Sequence, residues 1–258
     1  MTYEHALRWL RLESAELATL YPTPRLDYRG RTIAVETVRA YLVQEERRFA
    51  EAISMLPPPP RPGMRLIEIG IAYGFLAALA KAAGWAAEGL EVPENIPVYC
   101  AFALHHEIPV HPGKLGVKPL DLPEGRYGAV IFSEVLEHLR LPTPLVFREL
   151  HRILAPGGYL LLTTPNMARL SNVAKLLLGR NVVEAFPEDA ECENATELLT
   201  HVREYTMREL RQGLAHAGFD EVSARYSACL ERRKLRRLLT AWIPCGRGNL
   251  MILARKRA

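Results

Sequence analysis

From residue 65 to residue 164 the chain alternates short apolar runs with longer stretches of helical periodicity, and this alternation restricts its fold more than any other feature. Residues 65–69, 87–92, 116–120, 129–133 and 159–164 read as strands, and residues 75–83, 97–106 and 145–154 as helices. Parallel strands joined through helices need right-handed crossovers, which place helices on both faces of the sheet. The expectation is a doubly wound α/β domain. Further on, Thr206-x-x-Glu209 has capping-box spacing ahead of Leu210 and Leu214, and Gly218 stands where that helix should end. Strand candidates at 221–226 and 249–254 follow.

Ahead of this pattern, Leu7, Leu10 and Leu17 mark one helical apolar face, and Val35, Val38, Leu42, Phe49 and Ile53 mark another. Pro57 to Pro60, with Pro62 and Gly63, cannot continue a helix and predict a stiff extended connector. The expected organisation is an independently packed N-terminal helical cap over 1–56, a proline-rich linker over 57–63, and a main domain over 64–258 with a lid-like insertion at 165–200.

With 258 residues, 49% of them hydrophobic and 24% charged, the chain is neither disordered nor fibrous. No apolar run approaches the roughly 18 residues of a membrane span. Glu4, Arg8, Arg11 and Glu13 are spaced through the first apolar residues, unlike the uncharged centre of a signal peptide, so a cytoplasmic location is expected. Cys100, Cys192, Cys229 and Cys245 form no C-x-x-C pair, which argues against zinc ribbons, redox motifs and disulfide frameworks. Charge is uneven: from Arg225 onward there are ten Lys/Arg and one Glu.

The first strand runs into Glu68-Ile-Gly70-Ile-Ala72-Tyr-Gly74 before a helix begins. Small residues at 70, 72 and 74 let the backbone turn tightly with a ligand against it. Glu91 closes the second strand 21 residues after Gly70, where a carboxylate can accept from both hydroxyls of a ribose. Dinucleotide sites normally carry G-x-G-x-x-G to seat a pyrophosphate. A carboxylate at Glu68 facing that pocket repels a phosphate and suits an ammonium or sulfonium, so a cationic ligand is expected.

Together with Asp121-Leu-Pro, Tyr127-Gly-Ala-Val-Ile-Phe-Ser-Glu-Val-Leu-Glu-His138-Leu and Arg152-Ile-Leu-Ala-Pro-Gly-Gly158-Tyr-Leu-Leu-Leu-Thr-Thr-Pro-Asn166, this segment resembles the class I S-adenosylmethionine-dependent methyltransferases over most of residues 64–225. The texture further along resembles a bacterial small-molecule or glycan-type subgroup. The resemblance implies a Rossmann-like, seven-stranded, mostly parallel sheet whose last two strands pair as an edge hairpin, with the last strand antiparallel. It implies S-adenosylmethionine as methyl donor and S-adenosylhomocysteine as product. Gly70, Ala72 and Gly74 would cradle the methionyl end, with Glu68 near its ammonium, Glu91 on the ribose and Val92 beside the adenine. Asp121 and Leu122 would address the adenine edge, and Ser133 with Glu134 would line the floor. Ala72 departs from the glycine frequent in the family; its methyl group is expected to be tolerated.

A sulfonium is already activated, so the enzyme must mainly hold the nucleophile in line and take its proton. The candidate catalytic groups are His138, His201 and Glu134, and the candidate acceptor contacts are Arg203, Tyr205 and Tyr73. Were 134–138 helical, Glu134, Glu137 and His138 would share one face and, with His201, form an oxygen and nitrogen metal set. The small-RNA 3′-terminal 2′-O-methyltransferases look like this, but the same string also occurs in metal-free relatives. Metal-free O-methylation of a small molecule or sugar hydroxyl is the leading expectation, with neither a divalent metal nor nucleic acid expected. A metal-dependent RNA 2′-O-methyltransferase and a non-catalytic S-adenosylmethionine-binding partner protein are the alternatives. Residues 231–243, from Arg232-Arg-Lys-Leu-Arg-Arg237 to Ile243, are expected to form a basic amphipathic helix suited to peripheral membrane contact.

Overall fold

The structure, a computed structural model, describes residues 1–27, 30–116, 118–183, 201–228 and 242–257. The chain opens with α1 (Tyr3–Glu13), N-capped by Thr2, and a short α2 (Leu17–Leu20). A hairpin of two-residue strands, β1 (Arg25–Leu26) and β2 (Thr32–Ile33), then interrupts the region expected to be helical throughout. Asp27 builds its turn, accepting from Arg31 N at 2.7 Å and from Tyr99 Oη at 2.7 Å. Strands this short leave no periodicity to detect. The long helix α3 (Val35–Met55) follows.

β3 (Arg65–Ile69), β4 (Ala86–Glu91), β5 (Val110–Pro112), β6 (Tyr127–Ser133), β7 (Leu154–Pro165), β8 (Phe219–Ser227) and β9 (Asn249–Lys256) form one seven-stranded sheet in the order β5-β4-β3-β6-β7-β9-β8. All neighbours from β5 to β7 are parallel, and β9 lies antiparallel between β7 and β8. This is the expected doubly wound sheet with an antiparallel last strand. One strand is elsewhere than expected: the edge strand is Val110–Pro112, paired with Gly89–Glu91, and not residues 116–120. Gly113 N returns to Glu91 O at 2.9 Å and ends the pairing before that apolar run is reached.

The helices between strands are α4 (Phe75–Ala82), α5 (Ile96–Tyr99), α6 (Ala101–His105), α7 (Thr143–Ile153), α8 (Leu170–Leu177) and α9 (Met207–His216). The single helix expected over 97–106 is split at Cys100. α9 begins with the expected capping box: Thr206 Oγ1 accepts from Glu209 N at 3.3 Å, and Glu209 Oε2 accepts from Thr206 N at 2.8 Å.

Strand alternation sends successive side chains to opposite faces of the sheet. On one face Leu66, Ile131, Leu161 and Met251 pack with residues of α1, α3, α4 and α6. On the other, Ile67, Val130, Leu160 and Ile252 pack with Phe147 of α7 and Leu210 of α9. Leu10, Val38, Phe49 and Ile53 belong to the first cluster, so the N-terminal helices share the sheet's core and do not pack independently beyond the proline connector. Fully burying a side chain of that size contributes roughly 1.5–3 kcal/mol, and the sheet face supplies the surface that covers them. Among the described residues no helix is long and apolar enough to cross a membrane. Residues 184–200 of the insertion and 231–241 of the basic segment lie outside the described residues.

Candidate active site

The apolar columns on the α3 side of the sheet end in polar residues at its carboxyl edge. Leu66 leads to Glu68 on β3, Ile131 to Ser133 on β6 and Leu161 to Thr163 on β7, while Met251 is preceded by Asn249 on β9. Glu68, Thr163 and Asn249 are all buried. Ligands of open α/β sheets bind at this edge, next to the point where strand order reverses, here between β3 and β6.

The turn from β3 into α4 uses left-handed backbone at Gly70 (φ +74°), Ala72 (φ +47°) and Gly74 (φ +86°). A Cβ on Gly70 would stand 2.6 Å from the Val135 side chain, and one on Gly74 2.6 Å from Ala103, so glycine is required twice over. Ala72 carries its methyl in a conformation that costs a non-glycine residue about 1–2 kcal/mol. Two contacts hold it there: Glu91 Oε2 accepts from Ala72 N at 2.9 Å, and Cys100 Sγ donates to Ala72 O at 3.2 Å.

Glu91 Oε1 also accepts from Val92 N at 2.9 Å and from Asn95 Nδ2 at 3.1 Å. Asn95 Oδ1 is buried without a hydrogen-bond partner. Two adjacent acceptors at the end of β4 match the two hydroxyl donors of a ribose, so the residues present fit an adenosyl group. Asn95 was missed because a single Asn after Pro93 reads as a turn residue. Asp121 is exposed and Leu122 is packed in the opposite core cluster, with Arg152 of α7 donating to the carbonyl oxygens of Leu120 and Leu122 at 3.1 and 2.9 Å. Among the described residues no hydrogen bond joins either of them to the turn.

Glu68 Oε2 accepts from Ala77 N of α4 at 2.8 Å. Burial pushes its carboxyl up to about 8; Glu91 adds to the rise, and the Ala77 N–H and Arg48 offset only part of it. Arg48 reaches this place from α3. It is 2% exposed, and its Nε donates to Glu45 Oε2 at 2.6 Å while Nη1 donates to Ser133 Oγ at 2.5 Å. Tyr41, Arg48 and Phe49 line one cavity with Glu68, residues 70–74 and Ser133. The signal was present in the sequence: Glu45 occupies a position of the apolar stripe Val38, Leu42, Phe49 and Ala52, where a charge calls for a buried partner. Tyr73 is buried among the rings of Tyr41, Tyr99 and Phe75 at centroid distances of 5.1, 5.4 and 5.8 Å, and burial pushes its hydroxyl up to about 12. It packs the cap against the turn.

Glu134 also has left-handed backbone, with φ +53°. Its Oε1 accepts from Thr163 Oγ1 at 2.7 Å and from Asn249 Nδ2 at 3.0 Å, and Arg48 Nη1 lies 4.0 Å away. Only a 3₁₀ turn, Leu136–His138, follows, so the shared helical face of Glu134, Glu137 and His138 does not form. Glu137 is buried and turns to Thr164 Oγ1 at 3.0 Å; burial, then Glu134, raises its carboxyl well above the usual range. Val202 N and Arg203 N donate to Glu137 O at 2.7 and 3.2 Å, which brings the His201 ring to 5.1 Å from that of His138. Glu137, His138 and His201 offer ligand atoms within 4.8 Å of one another, and Glu134 is not among them. The four-residue metal set is thereby corrected to three. His201 Nδ1 lies 3.2 Å from Glu204 Oε1. Burial alone would raise Glu204, and His201, Arg169 and Asn172 together hold it below its usual value. Arg203 pairs with Glu209 at 2.6 Å and stands over the buried Tyr205 ring, whose hydroxyl meets Thr143 Oγ1 at 3.1 Å. These two seat the 201–205 segment on the sheet edge.

Residues 41–224 match the model of a family described as a methyltransferase domain. The chain is 28% identical over 141 residues to the mitochondrial ubiquinone biosynthesis O-methyltransferase of Rattus norvegicus, a match covering 51% of this chain and 39% of that protein. It thus spans about two fifths of that relative's length. A solved S-adenosylmethionine-dependent methyltransferase from Mesorhizobium loti superposes with TM-score 0.56 at 17% identity, covering 83% of this chain and 98% of that one. Phosphoethanolamine N-methyltransferase 2 of Haemonchus contortus, solved with S-adenosyl-L-methionine, gives TM-score 0.57 at 13% identity, covering 86% and 57%. At these identities the two structures show a common fold.

Proposed function

The chain belongs to the methyltransferase-domain family, and from that premise we propose that it transfers the methyl group of S-adenosylmethionine to a hydroxyl oxygen of a small molecule or saccharide. The observation that carries this reading is the placement of Glu134. It follows Ser133, which lines the cavity of Glu68 and residues 70–74, and it keeps a strained backbone with one carboxylate oxygen held by Thr163 and Asn249. Backbone strain of this kind persists where its surroundings over-determine it, and it clusters at active sites. The relative from rat is itself named an O-methyltransferase.

In this reading Glu91 and Asn95 take the ribose hydroxyls, the backbone of residues 70–74 follows the methionyl chain, and Glu68 faces its ammonium. The bound donor supplies a methyl group already activated on sulfur. Glu134 aligns the acceptor hydroxyl and takes its proton, an arrangement that typically contributes 10²–10⁴-fold in rate. His138 and His201, which do not line that cavity, orient the remainder of the acceptor. Calorimetric titration with S-adenosylhomocysteine, and separately with NAD, tests the donor site: binding of the former alone, weakened by Glu91→Ala, is expected. Preference for NAD sinks it. Turnover confined to amine acceptors would remove the oxygen assignment, and binding without turnover on any acceptor would leave a partner protein.

A second reading, transfer dependent on a divalent cation, has its own observation. Glu137, His138 and His201 form a compact oxygen and nitrogen set, and Glu204 orients His201 through Nδ1 as carboxylates orient metal-bound imidazoles. Saturable Mn²⁺ uptake by metal-stripped protein, abolished by His201→Ala, brings this reading and RNA 2′-hydroxyls forward. Absence of uptake removes it.

A further inference from the structure

Asn249 is fully buried at the start of β9; its Nδ2 donates to Glu134 Oε1 at 3.0 Å, and its Oδ1 has no hydrogen-bond partner. The amide cannot be turned round, because a flip would set its oxygen against the carboxylate oxygen at the same distance. The neighbouring hydroxyls of Ser133 and Thr163 spend their protons elsewhere. Arg48 Nη1 donates to Ser133 Oγ at 2.5 Å, Ser133 then donates to Thr163 Oγ1 at 2.8 Å, and Thr163 donates to Glu134 Oε1 at 2.7 Å. Every step of this chain runs one way, from a cation that cannot lose its proton to a carboxylate oxygen. Two oxygens are left open at its end, Glu134 Oε2 and Asn249 Oδ1; among the described residues no hydrogen bond reaches either. A buried carbonyl oxygen left this way is costly unless a ligand supplies its donor.

We propose that these two oxygens form an acceptor subsite for two neighbouring hydroxyl groups, so that the enzyme selects vicinal diols. This rests on the hydroxyl-methylation reading above. One hydroxyl donates to Glu134 Oε2 and is methylated; the adjacent one donates to Asn249 Oδ1 and fixes which oxygen faces the methyl group. As the new oxygen–carbon bond forms, the carbon–sulfur bond breaks, the hydroxyl proton passes to Glu134, and the donor leaves as a neutral thioether. A carboxylate or phosphate brings no donor for Asn249 and meets the charge of Glu134. A lone hydroxyl satisfies one oxygen of the two. Asn249 is in this sense a specificity residue supplied by the antiparallel strand, and Arg48 a positioning residue that polarises the chain from the N-terminal helix.

The test compares S-adenosylhomocysteine formation on catechol and methyl α-L-rhamnopyranoside with that on their one-hydroxyl counterparts, phenol and cyclohexanol, with ethanolamine as the amine probe. Affinity for S-adenosylhomocysteine is measured in parallel on every variant, which also reports whether each has folded. The diols are expected to lead the single hydroxyls by about tenfold in kcat/KM, the worth of one hydrogen bond to a buried group. Asn249→Ala should raise the diol KM about tenfold at unchanged S-adenosylhomocysteine affinity. Asn249→Ser, which keeps an acceptor oxygen in a smaller side chain, should retain part of the preference. Wild-type protein that binds S-adenosylhomocysteine yet turns over neither diol, or prefers ethanolamine, overturns the proposal. So does a diol preference that both Asn249 variants leave unchanged. Wild-type protein that does not bind S-adenosylhomocysteine overturns the methyltransferase reading instead.

Discussion

Arg48 Nη1 donates to Ser133 Oγ at 2.5 Å, tying the middle of α3 to the carboxyl end of β6 across 85 positions of sequence. The contact makes the long N-terminal helix part of the wall of the candidate site. It also takes a charged pair, Arg48 and Glu45, out of water beside the cavity that the methionyl end is proposed to occupy.

A buried pair is strongly destabilised when one partner is removed, because the other charge stays buried without compensation. Arg48→Met is expected to cost about 3–5 kcal/mol in chemical denaturation, and the double variant Arg48→Met/Glu45→Met to recover most of that loss. A double variant no more stable than the single one would show that Arg48 acts through Ser133 and Tyr41 and not through Glu45.

Glu68 sets a pH dependence with a definite sign. Its carboxyl stands at about 8 in the folded chain against an ordinary value of 4.5, through burial first and Glu91 after it. The folded state therefore holds this proton more tightly, and the stability it contributes, complete below about 4.5, is lost as pH rises toward 8. Glu68→Gln should flatten that decline. If the donor's ammonium faces Glu68, S-adenosylhomocysteine binding at pH 7 releases a proton, and affinity climbs from pH 6 to about 8 before levelling. Calorimetry in buffers of different ionisation enthalpy counts the protons; no release removes Glu68 from that role.

Ala72 and its left-handed backbone give a third expectation. Ala72→Gly should not destabilise the fold, whereas Ala72→Val, a branched side chain at φ +47°, should cost about 2 kcal/mol or more and weaken S-adenosylhomocysteine binding. Equal denaturation midpoints for the two variants would mean that the turn relaxes easily.

Glu134→Gln keeps an oxygen for Thr163 and Asn249 to donate to while removing the proposed base. A fall in kcat of roughly 10²-fold or more is expected, with S-adenosylhomocysteine affinity within about twofold of wild type. An unchanged kcat passes the proton to His138 or His201, and single-turnover rates of His138→Gln and His201→Gln then decide between them.

Much of the fold was legible in the residues because it is locally coded. The alternation of runs reports which faces of each element are buried, and Glu68, Gly70, Gly74 and Glu91 lie at the ends of strands already readable from that alternation. The Thr206 to Glu209 capping box spans four residues and was found for the same reason. The edge strand was misplaced because three residues carry no period, and only the register opposite Gly89 to Glu91 chooses Val110–Pro112 over the next apolar run.

Chain order, then, settles what each element is and where the glycine turn after β3 must lie. Tertiary packing decides what stands around that turn. Asn249 meets Glu134 across 115 positions and Ser227 meets Glu51 across 176, separations at which no periodicity or motif survives. The left-handed backbone of Glu134 separates it from Glu137 and His138, its neighbours in sequence, and turns it toward Thr163 and Asn249. Side-chain charges buried in pairs, and a carbonyl oxygen buried without a partner, exist only once distant strands and the N-terminal helix have closed over them. That closure makes the polar edge of the sheet into a site.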